Sequence, residues 1–495
     1  MSRTTSLIFT SLLMAILVVG SGLCCELCAQ EALLADLAEA GRWNELQVRL
    51  GGKTDDGKTD GLEQQVNQAQ ADGMTVLHWA AFKNRSTIVR QLLESGAKVD
   101  ARTIYDITAL SIAAERGFAD SVEVLVEFKA DVEAKRLGSE TPLMLAARNG
   151  DLRTVNSLIK AGAEVNEKEP KGQTALMWAA AAGNADAVDA LVNADANIDE
   201  RLKKTGFTAF LFAARNGHAD VVSRLLQAGA DINSTTKIAK TRGRDPRNKM
   251  SALMLAIESG HLELALQLVE AGADPNDQSS GMAPLHAIVW VRKTNVGDGI
   301  SGDPPPRIAG ETSTEDFVRQ LVGAGADVNM SINSGKAGKA KLNPKGTTPF
   351  LLASSTADVP LMELLIELGA DPTINNADNC TAFMAAAGVG VTAVGEEPGT
   401  EAEVCRALRL LAELGFDPNH VDENGETAMH GAAYRDFPLA AGLLAELGAD
   451  PEVWNKRNRH GWTPRDIARG KRPGSVKPSE EMLAAIDLLL AEVEE

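Results

Sequence analysis

Five threonines frame this chain: Thr75, Thr108, Thr141, Thr174 and Thr208 follow one another at steps of 33, 33, 33 and 34 residues. A fixed period of this length means that one small supersecondary unit recurs, and it constrains every later assignment. The unit is clearest in residues 141–173, which open Thr141-Pro142-Leu143-Met144-Leu145-Ala146-Ala147-Arg148-Asn149-Gly150. Thr141 suits an N-cap, where its hydroxyl accepts from an orphan N–H, and Pro142 suits the first helical position. Leu143, Ala146 and Ala147 then share one face of a short helix. Asn149-Gly150 is a turn, with glycine free to take a left-handed end. A second helix follows with Val155, Leu158 and Ile159 as its apolar stripe, and Gly162 stops it. Neither helix buries its stripe alone. Stacked neighbours bury a continuous core, so the unit is stable only as part of an array.

Later starts fall at Ser251, Ala283, Thr348, Thr381, Thr427 and Thr463. The helix exits Gly96-Ala97, Gly162-Ala163, Gly229-Ala230, Gly272-Ala273, Gly325-Ala326, Gly369-Ala370, Gly415-Phe416 and Gly448-Ala449 keep the same register. Lys129 and Asp195 stand where two further exits want glycine. A side chain in a left-handed cap costs on the order of 1 kcal/mol, which predicts two locally weaker repeats.

The pattern resembles the ankyrin-repeat family, marked by Thr-Pro-Leu-His-x-Ala about every 33 residues, and the likeness runs over nearly the whole chain after its first 29 residues. More narrowly, the chain is similar to exported bacterial ankyrin-repeat proteins. The resemblance implies an all-α solenoid of about ten to twelve helix pairs with short β-turn fingers, curved with a concave face. It also implies protein–protein recognition through the finger tips and the first-helix face.

The expected layout is a signal peptide at 1–29, an N-terminal helical cap and loop at 30–73, the array at 74–462, and a C-terminal capping repeat at 463–495. Arg3 followed by the apolar run 7–23 and Leu27-Cys28-Ala29 reads as a secretory signal, although Leu27 is large for its place in a cleavage site. That reading puts the chain outside the cytoplasm, periplasmic or secreted, with no membrane span in its mature form. An uncleaved signal anchoring it to a membrane is the alternative. Insertions break the period at 235–249, 292–313, 331–347 and 389–402. Ser313 and Asp316 resemble a capping box that restarts a helix after the second insertion.

A net charge of −19 and a pI near 5.0 argue against nucleic acid, which needs a basic footprint. No Gly-x-Ser-x-Gly, His-Glu-x-x-His or phosphate loop is present, so no catalytic residue, metal ligand or cofactor site is assigned, and the expected protein is a monomer and not an enzyme. His78, His286 and His430 occupy the family's histidine position, where a neutral imidazole bridges neighbouring turns. His218 and His261 lie at the end of the first helix, one per repeat, too dispersed for one metal. Cys380 should sit on the finger side and Cys405 about 15 Å away, beyond the reach of a disulfide.

Two groups of residues are candidates for contact with a partner. Trp79, Trp178 and Phe212 stand where the family usually has leucine; they either pack inward or offer flat anchors on the concave face. Arg148, Asn149, Arg215 and Asn216 lie at the end of the first helix, toward the groove. The second group is basic. Residues 235–249 carry Lys237, Lys240, Arg242, Arg244, Arg247 and Lys249 against Asp245, and residues 331–347 carry Lys336, Lys339, Lys341 and Lys345 with no acid. Both insertions extend fingers on one edge, roughly 20 Å apart at 8–10 Å per packed layer. They either keep long loops solvated or clamp an anionic partner. Two functions follow: a non-catalytic protein-binding scaffold, or an effector or enzyme-complex subunit whose solenoid docks a partner enzyme or host protein.

Overall fold

The structure, a computed structural model, describes residues 32–51, 61–238, 248–293, 306–335, 341–391, 394–395, 397–472 and 477–491. Residues 1–29, read as a signal peptide, and Cys24, Cys25 and Cys28 lie outside the described residues. Among those described, 26 helices and no strands occur; 24 helices form twelve consecutive pairs, from Leu34–Glu39 with Trp43–Gly51 to Pro464–Ala468 with Glu480–Ala491. The other two are short: Leu62–Val66, inside a segment read as loop, and Pro451–Trp454, inside a finger. First helices pack on first helices and second on second, so the chain is a two-layered all-α repeat solenoid.

The threonine starts act as their chemistry requires. The Thr141 hydroxyl accepts from the Met144 N–H at 3.3 Å, and Thr108, Thr174, Thr208, Thr348 and Thr381 accept three residues on in the same way. At Thr75 and Thr427 a histidine completes the cap. His78 Nδ1 accepts from the Thr75 N–H at 3.1 Å, and His430 Nδ1 from the Thr427 N–H at 3.2 Å. The far ring nitrogens of His78, His286 and His430 then reach Ile107 O, Thr347 O and Lys456 O in the next turn, at 3.0, 3.0 and 3.1 Å. Burial lowers all three pKa values, those of His286 and His430 to about 4, so each imidazole is neutral. Where Ala283 replaces threonine, no side-chain cap forms.

A second set of ties joins the fingers. Ile104 N–H donates to Asp72 O, Leu137 to Tyr105 O, Ala377 to Lys345 O, Glu423 to Asp378 O and Arg459 to Asn424 O, at 2.7–3.1 Å. A third set joins the helix exits. Asn166 Nδ2 donates to Asp195 O at 3.0 Å while its Oδ1 accepts from Asn197 N–H at 2.7 Å; Asn276, Asn329 and Asn419 repeat the pair of bonds on their successors. Asp100 takes the same place with only an acceptor to offer and keeps one bond, from Asp131 N–H at 2.9 Å. Lys129 and Asp195 take φ of 64° and 63°, the left-handed exit their neighbours fill with glycine.

Cys380, buried, and Cys405, half-buried, are both free thiols. After the second insertion, Ser313 Oγ accepts from Asp316 N–H at 3.0 Å, but the Asp316 carboxylate accepts the Ser313 hydroxyl at 2.7 Å. That differs from the expected capping box, in which the acid would take the backbone N–H.

Candidate partner-binding face

Counting each start as zero, positions 4 and 7 of the first helices form a row across the inner layer. It runs Trp79 and Phe82, Ile112 and Glu115, Leu145 and Arg148, Trp178 and Ala181, Phe212 and Arg215, Leu255 and Glu258, Ala287 and Trp290. A short helix presents these positions on one side because 3.6 residues per turn brings position 7 over positions 3 and 4. Trp79, Trp178 and Phe212 are neither core nor free: each is half-buried and packs against the core of the array. The Trp79 indole N–H donates to Gln70 Oε1 at 2.7 Å, and its ring meets Phe82 edge-on at 5.6 Å. Phe212 tilts against Phe207 at 4.9 Å. The buried Trp178 N–H finds no acceptor among the described residues.

Charged groups link successive repeats along this row. Arg148 donates to Glu115 at 2.6 Å in the repeat before it and lies over the Trp178 ring at 4.9 Å in the repeat after it. Glu115 also accepts from Arg136 at 3.0 Å, and Arg116 covers the Phe82 ring at 3.8 Å. Arg215 is exposed and stands 5.9 Å from the Phe207 ring. Guanidinium groups suit this task because their planar faces stack on rings while their edges still donate.

Asn149 and Asn216, candidates for the groove, are exposed but engaged. The Asn149 amide donates to Glu115 O at 3.2 Å and that of Asn216 to Ala181 O at 2.8 Å, each stitching the end of one first helix to the last. His218 does the same from the following loop, reaching Ala181 O at 3.1 Å. Gly183 and Gly217 must stay bare there, since a Cβ on either would sit 2.6 or 2.4 Å from the ring of His218 or His261.

Of the basic candidates, Lys237, Lys249, Lys341 and Lys345 are described, and all four are exposed. Lys240, Arg242 and Arg244 of the first finger and Lys336 and Lys339 of the second lie outside the described residues. The base of the first finger is a paired hairpin: Thr236 N–H donates to Met250 O at 2.9 Å, and Ile238 N–H to Asn248 Oδ1 at 2.9 Å.

Three features escaped the sequence reading. The first is a part-buried ion-pair cluster: Arg292 donates to the buried Asp358 at 2.7 Å and also meets Glu315 and Thr314. Arg292 ends one helix before the insertion and Thr314 begins the next, so this side chain closes the gap. The second is Arg435, buried, donating to Pro398 O at 2.9 Å and Ser355 O at 2.6 Å; burial lowers its pKa to about 10. The third is a pocket of about 240 Å³ between two insertions, lined in part by Trp290, Leu342 and Val391. Trp290 sits in the row at position 7 of its repeat, so the register alone carried a signal for it. Among the described residues no group of three or more His, Cys, Asp or Glu side chains is placed to hold a metal ion, and no helix is long and apolar enough to cross a membrane.

Family comparisons agree with this geometry. A model of three consecutive ankyrin repeats matches residues 54–136 and 143–236, and a single ankyrin-repeat model matches 248–280. Palmitoyltransferase Hip14 of Drosophila melanogaster is 56% identical over 36 residues, 7% of this chain and 6% of that protein. A stretch of that length is about one repeat, and the likeness concerns the repeat. With its threonine-capped helix pairs, bridging histidines and paired fingers, the chain carries ankyrin repeats over the matched residues.

Proposed function

We propose that this protein is a non-catalytic scaffold that acts outside the cytoplasm and holds a protein partner against its inner-helix row and fingers. The observation that carries the reading is the row itself. Trp79, Arg148, Trp178 and Arg215 stand partly or wholly exposed, and Arg148 is fixed between Glu115 and Trp178 before any partner arrives. A surface ordered in advance loses less conformational entropy on association, and Trp and Arg are the residues that most often dominate such contacts. The apolar N-terminal run supports export. The basic fingers, with Lys237, Lys240, Arg242, Arg244, Lys336, Lys339 and Lys341, add an attraction for an anionic partner surface, and the protein works as a monomer.

The test is a crosslinking pull-down of the full chain, tagged after residue 495, from the periplasmic or secreted fraction. R148E with R215E should lower capture of the natural partner at least tenfold, and charge reversal at Lys336, Lys339 and Lys341 should lower it further. Recovery of the protein only from the cytoplasm, or undiminished capture by the charge-reversed chains, would reject the reading. A repeat of this kind in a protein named as a palmitoyltransferase favours a second reading, in which the solenoid docks a partner enzyme. An enzyme as the captured protein would select it.

A further inference from the structure

We infer that the pocket between the two later insertions takes one large apolar side chain from an acidic segment of the protein partner. The inference rests on the binding reading and adds the chemistry of what is bound.

The pocket is formed by the inner row and roofed by parts that the repeat itself does not need. Its floor comes from three successive first helices: Trp290, 40% exposed, Leu352 with Ser355, and Ala385. One wall is the second extended finger, with Ile332 and Leu342; the other is the loop between the helices of the following repeat, with Val389 and Val391. These walls are built against each other. Gly390, at φ 98°, presses on Leu342 so closely that a Cβ would lie 2.5 Å from the Leu342 nitrogen. Leu342 also packs on a small core of its own, Leu351, Cys380, Met384, Ala385 and Val389, apart from the main core of the array. Arg435 pins the far end of the loop by donating to Pro398 O, and pins the floor by donating to Ser355 O.

Size selects the occupant. At about 240 Å³ the space is below the roughly 300 Å³ at which sites for drug-sized molecules begin. It exceeds the roughly 150 Å³ apolar cavity that accepts a benzene ring. An indole, a phenol ring or a leucine fits. Charge selects what flanks it. Lys341 lines the finger wall, Lys345 is exposed four residues on, and residues 331–347 contain no Asp or Glu. Glu397 on the opposite wall acts electrostatically on the buried Arg435. The cationic side of the mouth is therefore the finger, and it favours a carboxylate beside the anchoring side chain.

The probe is a random heptapeptide library displayed on phage and panned on the full chain, with the enriched sequences then made synthetically and titrated. The expected consensus is one Trp, Phe, Tyr or Leu next to Asp or Glu. W290A should weaken those peptides about tenfold, S355F, which fills the floor, should do the same, and K341E about fivefold. R153E, on the second helix Leu152–Lys160, should leave them unchanged. Circular dichroism checks that each variant keeps its helices; should S355F fail to fold, W290A and K341E still decide. A consensus without a large apolar residue, a basic consensus, or no enrichment overturns the inference, as does equal affinity for W290A. Peptides that lose affinity with R148E and not with W290A would leave the binding scaffold standing and remove the pocket. A small apolar molecule retained by the purified chain in native mass spectrometry and lost from W290A would also overturn the assignment.

Discussion

The first five complete repeats, residues 75–230, and the repeats from 251 to 446 solve the same stacking problem differently. In the first group each repeat is joined to the next by exposed or half-exposed links that recur with the period: Asn149 to Glu115, Asn216 to Ala181, Arg148 to Trp178. Each link is small, and the period supplies many. In the second group the period is broken between paired helices, and the breaks are closed by single guanidinium groups, the half-buried Arg292 and the buried Arg435, each reaching 60–80 residues along the chain. Distributed weak ties suit a face that must stay open to a partner. Concentrated ties suit a face on which loops have been built into a pocket.

The largest test of this contrast is R292A. Asp358, 3% exposed in its side chain, would be left charged and without its guanidinium, and breaking such a pair costs about 3–5 kcal/mol. Hydrogen exchange should quicken across 284–367 while 76–230 keeps its protection, because neighbours in a solenoid unfold as local units. Uniform loss of protection would show that the two groups are not distinct.

The next effect depends on pH and lies at the end of the second group. Burial raises the Glu426 carboxyl to about 7, with Oε1 accepting from Asn458 at 2.8 Å and from Tyr434 at 3.1 Å, and Oε2 without a partner among the described residues. Unfolded, this group loses its proton near 4.5; folded, it holds it to about 7. Between those values the folded chain binds more protons than the unfolded one, so stability falls as pH rises through that window and then levels. E426Q should remove the fall, a gain of about 3 kcal/mol above pH 7, read by denaturant unfolding at pH 5 and pH 8. An unchanged pH slope would contradict it.

Smaller effects belong to the first group. A double-mutant cycle on Arg148 and Trp178 should return a coupling of about 0.5–1 kcal/mol, and zero coupling would reduce that contact to coincidence. Smallest are K129G and D195G. Both residues are exposed and left-handed, so glycine should stabilise each exit by about 0.5–1 kcal/mol. Loss of stability would mean that the side chains do something at the exits that the backbone argument omits.

Much of the fold was legible because its determinants are local. A threonine cap, a histidine three residues on and a glycine exit lie within one repeat, and even the irregular exits at Lys129 and Asp195 take the conformation their position demands. The helices Leu62–Val66 and Pro451–Trp454 were not legible, being too short to show a period. The site was half legible. Register placed Trp79, Arg148, Trp178 and Arg215 on one row, yet gave no sign that Asn149 and Asn216 are engaged in stitching. Arg292 read as the first residue of an insertion although it is the insertion's anchor. The pocket depends on Leu342 meeting Gly390, and Arg435 on reaching Ser355, contacts that no local pattern encodes.

The most direct test of the central claim, that the inner row holds the partner, is the hydrogen-exchange footprint of the crosslink-captured natural partner on the full chain. Protection is predicted on first helices, above all Val76–Phe82, Pro142–Asn149, Ala175–Ala182, Ala209–Asn216 and Pro284–Arg292. Protection confined to second helices such as Leu152–Lys160 and Ala219–Gln227 would contradict it.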